Sequence, residues 1–541
     1  MLQPTFAGKS YQPMSTILSS NFIAVIVMLI LSCSNVTHKH HSKSNSGTQE
    51  NSNTFSVSSG ETVDISIDDT KALSFDPQFY SVSTASMYAY FNVDDAQFIS
   101  EVNKMQFNNV QFPGGSLSHW NHLVINGKGN GYNIDSKEVQ SHGNDISSLA
   151  GDESSKNGQD YFEETIKFCK STSTGLILVA NIMTGSQAEL EYALTRCQKE
   201  NIPVKVAMGV ELHIKDQRDD FPTAQSYKTK VQSYIDLVRK KFPGTLIAAD
   251  ACPVDETKND FSFFDGWNKL VATMDFDAFG IYQWAYVADA EMDGDLDGTF
   301  KKGNQMLTDF VNKEAPDQLV KYKAYFGNKP LWIMQCGVNF RNNGIFGNTI
   351  TSAMHLADYF LWCTEYNATH NNYLQVVCYQ KLGSTNVTCD VLTPYKGAKD
   401  KMIPQVDIVE RSPFYAFSLI GNVFSGDKKF CSSIVSSNTS KDITGSIKVY
   451  SFVDSNNKHY LFVINKGVGF NIGKLLVNNK AITGSATVAE VWGSSLYSTN
   501  GYSNWMKIFP GGTASQIQND VRTTEVSKIQ IQNYSITRIE F

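Results

Sequence analysis

The sequence predicts an α/β fold in which a (β/α)8 TIM barrel is followed by a C-terminal β-sandwich. Two patterns carry this prediction. Through residues 72–409, short apolar runs of strand type alternate with amphipathic helical stretches. After residue 410 the helical pattern largely stops, and short strands separated by turn signals follow. A short apolar run near the amino terminus adds an N-terminal signal with a lipobox and a flexible tether.

Composition sets the class of protein before any motif is considered. The chain has 541 residues, of which 41% are hydrophobic and 18% charged, and its formal net charge is −7. This length exceeds what one core usually organises, so a barrel with an accessory domain is favoured. No basic block occurs, which argues against nucleic acid as a partner because that binding rests on phosphate neutralisation. The nine cysteines include no C-x-x-C pair, which argues against a structural zinc site.

The amino terminus has the features of an export signal. Residues 22–31 (FIAVIVMLIL) form an apolar run of ten residues, whereas a membrane-spanning helix needs about 20. The run leads into Ser32 and Cys33 in a sequence that resembles a bacterial lipobox, although Lys9 is the only basic residue before it. We expect residues 1–33 to be a signal peptide and the exported chain to be a surface lipoprotein anchored to the membrane through acylated Cys33. Ordinary cleaved secretion and a membrane-anchoring segment are the alternatives.

The domain boundaries follow from changes in composition along the chain. Residues 34–54 are rich in Ser, Asn, His, Lys and Thr, which cannot build a core, so a flexible tether is predicted there. Residues 55–71 are predicted to form strands that precede the barrel and join the β-sandwich. The barrel is assigned to residues 72–409 and the β-sandwich to residues 410–541.

The barrel elements can be predicted in order. A strand at residues 109–112 runs into a Pro-Gly-Gly loop, and helices at residues 188–199 and 227–241 each place apolar side chains on one face. No phosphate-binding glycine loop follows the first strand, which favours a barrel over a doubly wound sheet. Further barrel strands are predicted at residues 175–180, 204–208, 246–249, 278–282, 331–334 and 375–379, and sandwich strands at residues 446–452, 459–464, 474–477, 487–491 and 529–541.

Several motifs occur in an order that resembles one group of enzymes. Residues 112–116 (FPGGS) are similar to the end of strand 2 in retaining (β/α)8 glycosidases of the α-L-arabinofuranosidase, β-xylosidase and heparanase-like group. Residues 209–212 (GVEL) resemble that group's Gly-Asn-Glu-Leu motif at strand 4, and residues 331–340 (LWIMQCGVNF) resemble its strand 7. Weaker similarities lie at residues 180–189, 411–416 and 534–536. The resemblance covers residues 72–541 and implies a barrel with a β-sandwich.

The resemblance also implies roles for individual residues and shows where this chain departs from the pattern. Glu211 occupies the acid/base position, and Gln335 stands where the group has its nucleophilic Glu. Gln111 stands where the group has an Arg that contacts the nucleophile. Val210 replaces an Asn that contacts the sugar 2-hydroxyl, and Tyr282 stands where strand 6 often ends in His.

These departures predict the loss of ordinary retaining catalysis. Retaining enzymes use two carboxyl groups about 5 Å apart, and a glutamine amide is a poor nucleophile. Keeping an Arg without its carboxylate would leave a buried charge unpaired, whereas Gln111 and Gln335 are both neutral and are expected to contact each other. Asp250, at the end of the fifth strand, is the best alternative base for inverting hydrolysis, but a structural hydrogen-bonded Asp is the more common role for such a residue.

A glycan or polysaccharide is the predicted ligand. Sugars present apolar faces that stack on aromatic rings, while polar groups fix their orientation. Ring-bearing residues near the predicted mouth of the barrel supply such faces, although core packing is the ordinary role of each. The predicted binding residues are Gln111, Trp120, Asn181, Val210, Tyr282 and Trp284.

One acidic segment matches the opening of a calcium loop. Asp293, Asp295 and Asp297 alternate in D-x-D-x-D-G, whose carboxylates converge on a hard cation. The bidentate Glu expected at the twelfth position is absent, because Asn304 stands there. No cofactor is required by the predicted chemistry, and the two interpretations of this segment are a solvated acidic loop and a structural calcium site.

Three functions are compatible with the sequence. The first is a surface-anchored, glycoside-hydrolase-like protein that is catalytically impaired and binds a glycan or acts structurally. The second is an active glycoside hydrolase that uses Glu211 as general acid with a non-standard base. The third is an assembly subunit with no sugar ligand. Fold resemblance alone does not choose among them, since function belongs to the site.

Overall fold

The structure is a computed structural model that describes residues 61–84, 87–125, 128–134, 160–214, 220–287, 295–339, 344–386, 388–438, 443 and 445–541. The predicted signal peptide, Cys33, the tether and Asp293 lie outside these residues. Within them, no helix is long and apolar enough to cross a membrane.

The strands fall into two groups along the chain. The long strand before the barrel and the strands of the barrel region are β1 Thr62–Ser74, β2 Tyr80–Ser83, β3 Asn109–Phe112, β4 Asn121–Ile125, β5 Lys128–Ile134, β6 Gly175–Val179, β7 Val204–Met208, β8 Leu246–Asp250, β9 Ala278–Tyr286, β10 Leu331–Asn339, β11 Leu374–Tyr379, β12 Leu392–Pro394 and β13 Ile408–Glu410. Those that follow are β14 Lys429–Ser437, β15 Ile447–Val453, β16 His459–Asn465, β17 Phe470–Val477, β18 Lys480–Ala481, β19 Ser485–Trp492, β20 Gln518–Glu525, β21 Gln530–Ile531 and β22 Ser535–Glu540.

The helices alternate with the barrel strands. Side-chain caps determine where several of them begin: Ser186 and Glu189 form a capping box, and Thr223 caps the next helix, so both begin earlier than predicted. The α-helices are α1 Ala96–Met105, α2 Tyr161–Thr172, α3 Gln187–Lys199, α4 Ala224–Lys241, α5 Phe261–Val271, α6 Leu296–Asp309, α7 Ala315–Phe326, α8 Ile350–Thr369, α9 Ser412–Ile420 and α10 Trp505–Ile508, with a π-helical turn at Phe310–Glu314 joining α6 to α7.

The predicted barrel is confirmed. Strands β2, β3 and β6 to β11 form a closed barrel in which neighbouring strands are parallel. A small apolar cluster that includes Ile177, Ala207, Ala248, Trp332 and Val376 fills its interior. The opposite faces of these strands pack against the helices in a larger core. Because both faces are buried, the strands are continuous apolar runs in the sequence.

The C-terminal domain is the predicted β-sandwich, formed by a ten-stranded and mostly antiparallel sheet. Its strands lie in the order β18-β17-β1-β14-β15-β16-β22-β19-β20, and β21 pairs with β17. Apolar residues of β1 and β17 share one core with residues of β16, β19 and β22, so the sheet folds into two facing layers. Strand β1 reaches this sheet from before the barrel, pairing antiparallel with β14 and parallel with β17.

Two buried ion pairs join the barrel to the sheet. Asp358 of α8 accepts from Lys466 at 2.5 Å and from the hydroxyl of Tyr450 at 2.6 Å. Arg411 and Asp400 are both fully buried, and their Nη1–Oδ1 distance is 2.9 Å. Arg411 also donates to the backbone oxygen of Asn500, beyond β19. The two domains are therefore fixed to each other by charged contacts as well as by apolar packing.

Candidate active site

The polar residues singled out in the sequence gather at the carboxyl ends of the barrel strands. Gln111 lies in β3, Glu211 follows β7, Asp250 ends β8, Tyr282 lies in β9 and Gln335 lies in β10. In parallel barrels this end forms the mouth where active sites are built. The topology therefore brings together residues that are more than 200 positions apart in the sequence.

The backbone at Glu211 is held in an unusual conformation. Its φ angle is +56°, in the left-handed region that few residues other than glycine adopt. Its N–H donates to the Tyr282 hydroxyl at 2.5 Å and lies 3.2 Å from Oδ1 of Asp250. The next N–H, that of Leu212, donates to Oδ2 of Asp250 at 2.8 Å. These hydrogen bonds hold the half-buried Glu211 at the mouth.

Asp250 anchors this loop. The residue is 1% exposed, and the hydroxyl of Tyr282 donates to its Oδ1 at 2.6 Å. Burial raises the pKa of Asp250 to about 7, against the opposing effect of the hydrogen bond from Tyr282. Both oxygens are engaged by the Glu211 loop or by Tyr282, so Asp250 makes the contacts of a structural, hydrogen-bonded Asp.

A β-bulge aims Gln335 into the mouth. The pairing of β10 with β9 shifts between Ile333 and Gln335, so that Gln335 pairs with Tyr282 and Cys336 pairs with Gln283. Met334, the extra residue at the shift, belongs to the interior cluster, while Cys336 belongs to the outer core. The extra residue therefore turns Gln335 to the interior side as well, as bulges near active sites often do.

The expected contact between Gln335 and Gln111 is not formed. Gln111 is fully buried, and its Oε1 accepts from the thiol of Cys378 at 3.5 Å. Its Nε2 has no hydrogen-bond partner among the described residues. The expectation that the two amides satisfy each other is therefore wrong, because the β3 amide turns to strand β11 instead. A Cβ added to Gly115 would lie 3.9 Å from Nε2 of Gln335, so the loop after β3 borders that amide.

Three of the predicted sugar-binding residues make contacts within the protein. Trp120 is fully buried in the core and presents no exposed ring face. Val210 is fully buried, and its carbonyl accepts from Nε2 of His119 at 2.5 Å. Asn181 uses its amide to hold the loop after β6 through Thr184 and the carbonyl of Asn121. Packing and loop closure occupy these side chains, and neither requirement is visible in a linear motif.

Tyr282 and Trp284 remain at the mouth. Both are half-buried and lie on the same face of β9, opposite Gln335 and Gly337 of β10. His213, which sequence reasoning missed, packs against Tyr282 with ring centroids 5.5 Å apart. Its position two residues after Glu211 was the available signal. These rings give the mouth an aromatic wall.

Two of the three aspartates proposed as calcium ligands lie at the start of α6, and Asp293 lies outside the described residues. Asp295 is the N-cap of α6 and accepts from the N–H of Gly298 at 2.6 Å. Asp297 lies in the first turn of α6. Within the described residues, no group of three or more His, Cys, Asp and Glu side chains is arranged to hold a metal ion.

The barrel and its β-sandwich form a glycoside-hydrolase-like fold. The structure is similar to an α-L-arabinofuranosidase from Thermotoga maritima, with a TM-score of 0.62 and 13% identity over 89% of this chain and 100% of that one. It is also similar to a GH51 arabinofuranosidase from Xanthomonas axonopodis pv. citri, with a TM-score of 0.59 and 11% identity over 89% and 99% of the two chains.

A family 44 endoglucanase from Clostridium thermocellum has the same architecture, with a TM-score of 0.54 and 11% identity over 89% of this chain and 100% of that one. No protein-family model matches the sequence, and no curated protein matches it. At these identities the similarity concerns the fold.

Proposed function

We propose that this protein binds a neutral glycan at the mouth of its barrel and lacks ordinary retaining glycosidase chemistry. The observation that carries the proposal is the β-bulge that turns the Gln335 amide, in place of a carboxylate, toward the interior beside Tyr282. Similarity to arabinofuranosidases and an endoglucanase supports a sugar as the ligand.

The chemistry of the site supports the loss of retaining catalysis. A retaining enzyme forms a covalent glycosyl intermediate on a carboxylate. Glu211 is suited to the acid/base role at the mouth, but Asp250 is engaged with its loop and with Tyr282. General acid catalysis alone contributes about 10²–10⁴-fold, which is far below the acceleration that enzymes usually reach.

Charge and ring placement favour a neutral sugar. Trp284 and Tyr282 supply half-buried rings, and Gln111 and Gln335 supply amide groups that bond sugar hydroxyls without adding charge. The carboxyl groups of Glu211 and Asp250 lie at the same mouth, and an acidic sugar would meet them at an electrostatic cost.

Glycan binding is tested with the folded protein on an oligosaccharide array, followed by calorimetry with each sugar that binds. We expect Trp284→Ala to weaken binding, whereas Gln232→Ala, on the exposed face of α4, leaves it unchanged. No binding to any glycan would instead support an assembly subunit. Turnover of aryl arabinofuranosides, xylosides or glucosides that Glu211→Gln abolishes would support an active enzyme with a non-standard base.

We also propose that the chain is exported and tethered to a membrane surface by acyl groups on Cys33. The proposal rests on the short apolar run that ends in Ile-Leu-Ser-Cys. Mass spectrometry of the native protein is expected to show a lipid-modified amino-terminal cysteine, and Cys33→Ala is expected to release the protein from membranes. An intact first residue or cleavage at another position would contradict this proposal.

A further inference from the structure

We infer that the site hydrolyses glycosides whose sugar carries a 2-acetamido group trans to the leaving group. In this reaction the acetamide oxygen of the substrate is the nucleophile, and Glu211 is first the general acid and then the general base. The inference rests on the proposed binding of a sugar at the barrel mouth. Such substrate-assisted hydrolysis is a known exception to the two-carboxylate scheme.

A neutral amide stands beside the expected reacting centre. Gln335 occupies the place of the carboxylate nucleophile in the resemblance, and the bulge in β10 aims it to the interior. The residue is 8% exposed, and the loop containing Gly115 borders its amide. An amide in this place cannot supply a charged nucleophile, but its Oε1 can accept the N–H of a substrate acetamide.

The side chain of Gln111 carries a buried donor that no described residue satisfies. Nε2 of Gln111 has no hydrogen-bond partner among the described residues, and the residue is fully buried. Leaving a buried amide donor unsatisfied costs about 1–3 kcal/mol. Its Oε1 is held by Cys378 on β11, the strand next to the one that carries Gln335. An oxygen of a sugar bound at the mouth would satisfy this donor.

The proposed reaction needs only water as co-substrate. Glu211 gives its proton to the glycosidic oxygen, the bond from that oxygen to the anomeric carbon breaks, and the acetamide oxygen forms a new bond to that carbon. A cyclic oxazolinium results, with its N–H donated to Oε1 of Gln335. Water then attacks the anomeric carbon, Glu211 takes the water's proton, and the ring opens to restore the acetamide. Two displacements give net retention.

The acetamide oxygen is a weak nucleophile, but it suffices because it belongs to the sugar itself. An amide oxygen attached to the sugar itself closes a five-membered ring, and well-oriented intramolecular reactions reach effective molarities of about 10⁵–10⁸ M. The Gln335 amide lacks this advantage, because it is not covalently joined to the sugar. Holding the acetamide in the attacking orientation is therefore the task that a neutral hydrogen-bonding side chain performs best.

The test compares two matched probes, p-nitrophenyl N-acetyl-β-D-glucosaminide and p-nitrophenyl β-D-glucoside. We expect turnover of the first at least about 10²-fold faster than that of the second, which lacks the intramolecular nucleophile. Glu211→Gln is expected to remove this activity, and Gln335→Met, similar in size but without hydrogen bonds, to lower kcat/KM about 10-fold or more. Gln232→Met on α4 is the matched control and is expected to behave as wild type.

Two further measurements identify the mechanism. Proton NMR during turnover is expected to show the β-anomer as the first product. A thiazoline analogue of the cyclic intermediate is expected to bind the wild type and to bind Gln335→Met more weakly. An α-anomer as first product, or equal turnover of both probes, would overturn the inference.

The failure of this inference can be separated from the failure of the proposed function. If the array and calorimetry show glycan binding that requires Trp284, but neither the acetamido probe nor the thiazoline is recognised, the inference is wrong and the proposed binding function stands. If no glycan binds and no probe is turned over, both are wrong.

Discussion

Oδ1 of Asp250 accepts a hydrogen bond from the backbone N–H of Glu211 at 3.2 Å. Glu211 has a φ angle of +56°, and Tyr282 donates to the same Asp250 oxygen while accepting from the same N–H. The residue expected to act on a leaving group is thus positioned through its main chain by a buried acid. These hydrogen bonds keep the side chain of Glu211 at the mouth. We therefore expect a replacement of Asp250 to change the stability of the folded protein.

Replacing Asp250 by Asn is expected to lower the free energy of unfolding by about 1–3 kcal/mol. The reason is that one acceptor oxygen becomes an NH2 group, which cannot accept from the N–H and O–H groups around it. Burial raises the pKa of Asp250 in the folded state to about 7, from an ordinary value of 3.8. The folded state therefore keeps a proton that the unfolded state releases, so this group's contribution to stability falls as pH rises from about 4 to 7. Melting temperatures between pH 4 and 8 measure the effect.

The difference in melting temperature between wild type and Asp250→Asn is expected to be larger at pH 4 than at pH 8. Asp236→Asn, at an exposed position of α4, is the control and is expected to show no such trend. A difference that does not change with pH would mean that Asp250 titrates near its ordinary value.

The proposed function predicts that two substitutions would introduce a retaining pair. Gln111 does not contact Gln335, but the longer side chain in Gln111→Arg, combined with Gln335→Glu, is expected to bring a guanidinium to a carboxylate. This pairing lowers the carboxylate pKa by about 1–3 units and keeps it ionised. Gln335→Glu alone is expected to do worse, because an unpaired buried carboxylate tends to bind a proton. Aryl-glycosidase rates and melting temperatures of the two single variants and the double variant test this. Equal activity of Gln335→Glu and the double variant would contradict the pairing.

The ion pair between Arg411 and Asp400 is expected to be costly to break. Both side chains are fully buried, and Arg411 also donates to Thr393. Asp400→Asn leaves the guanidinium charge uncompensated and is expected to lower the free energy of unfolding by about 3–5 kcal/mol. Replacing both partners with apolar residues is expected to cost less than the sum of the two single changes.

Urea unfolding measures these free energies. The matched control is the exposed pair Lys528–Glu525, separated by 3.0 Å, where Glu525→Gln is expected to cost less than about 1 kcal/mol. A similar loss for Asp400→Asn and Glu525→Gln would show that the Arg411 site is hydrated.

The cysteines of the described residues are expected to resist alkylation in the native protein. All eight are buried, and none of those eight forms a disulfide bond. Burial raises the pKa of the Cys169 thiol to about 12, so little thiolate is present near neutral pH. Counting iodoacetamide adducts by mass spectrometry before and after unfolding is the measurement. Cysteines that stay unreactive after unfolding without reductant would show disulfides instead.

Much of the fold could be predicted from local pattern. The strand at Asn109–Phe112 was predicted with its observed bounds, and the predicted strand at residues 204–208 is β7. Runs of apolar residues that alternate with amphipathic helices leave few architectures, because each face must be buried against another element. The position of Glu211 after a strand follows from the same pattern, since the carboxyl ends of parallel strands meet at one mouth. The strand predicted at residues 331–334 instead continues to Asn339, so Gln335 lies within β10.

Only the tertiary structure decided which of these residues serve the site. Trp120 and Val210 follow predicted strands as Glu211 does, yet both are fully buried, and Asp295 caps a helix. The bulge that turns Gln335 beside Tyr282 depends on pairing between strands about 50 residues apart. Sequence spacing specifies the element and its approximate end, because backbone hydrogen bonding and apolar periodicity are local. Side-chain direction and burial at the mouth depend on packing among segments that are distant in the sequence. Local sequence patterns therefore do not specify them.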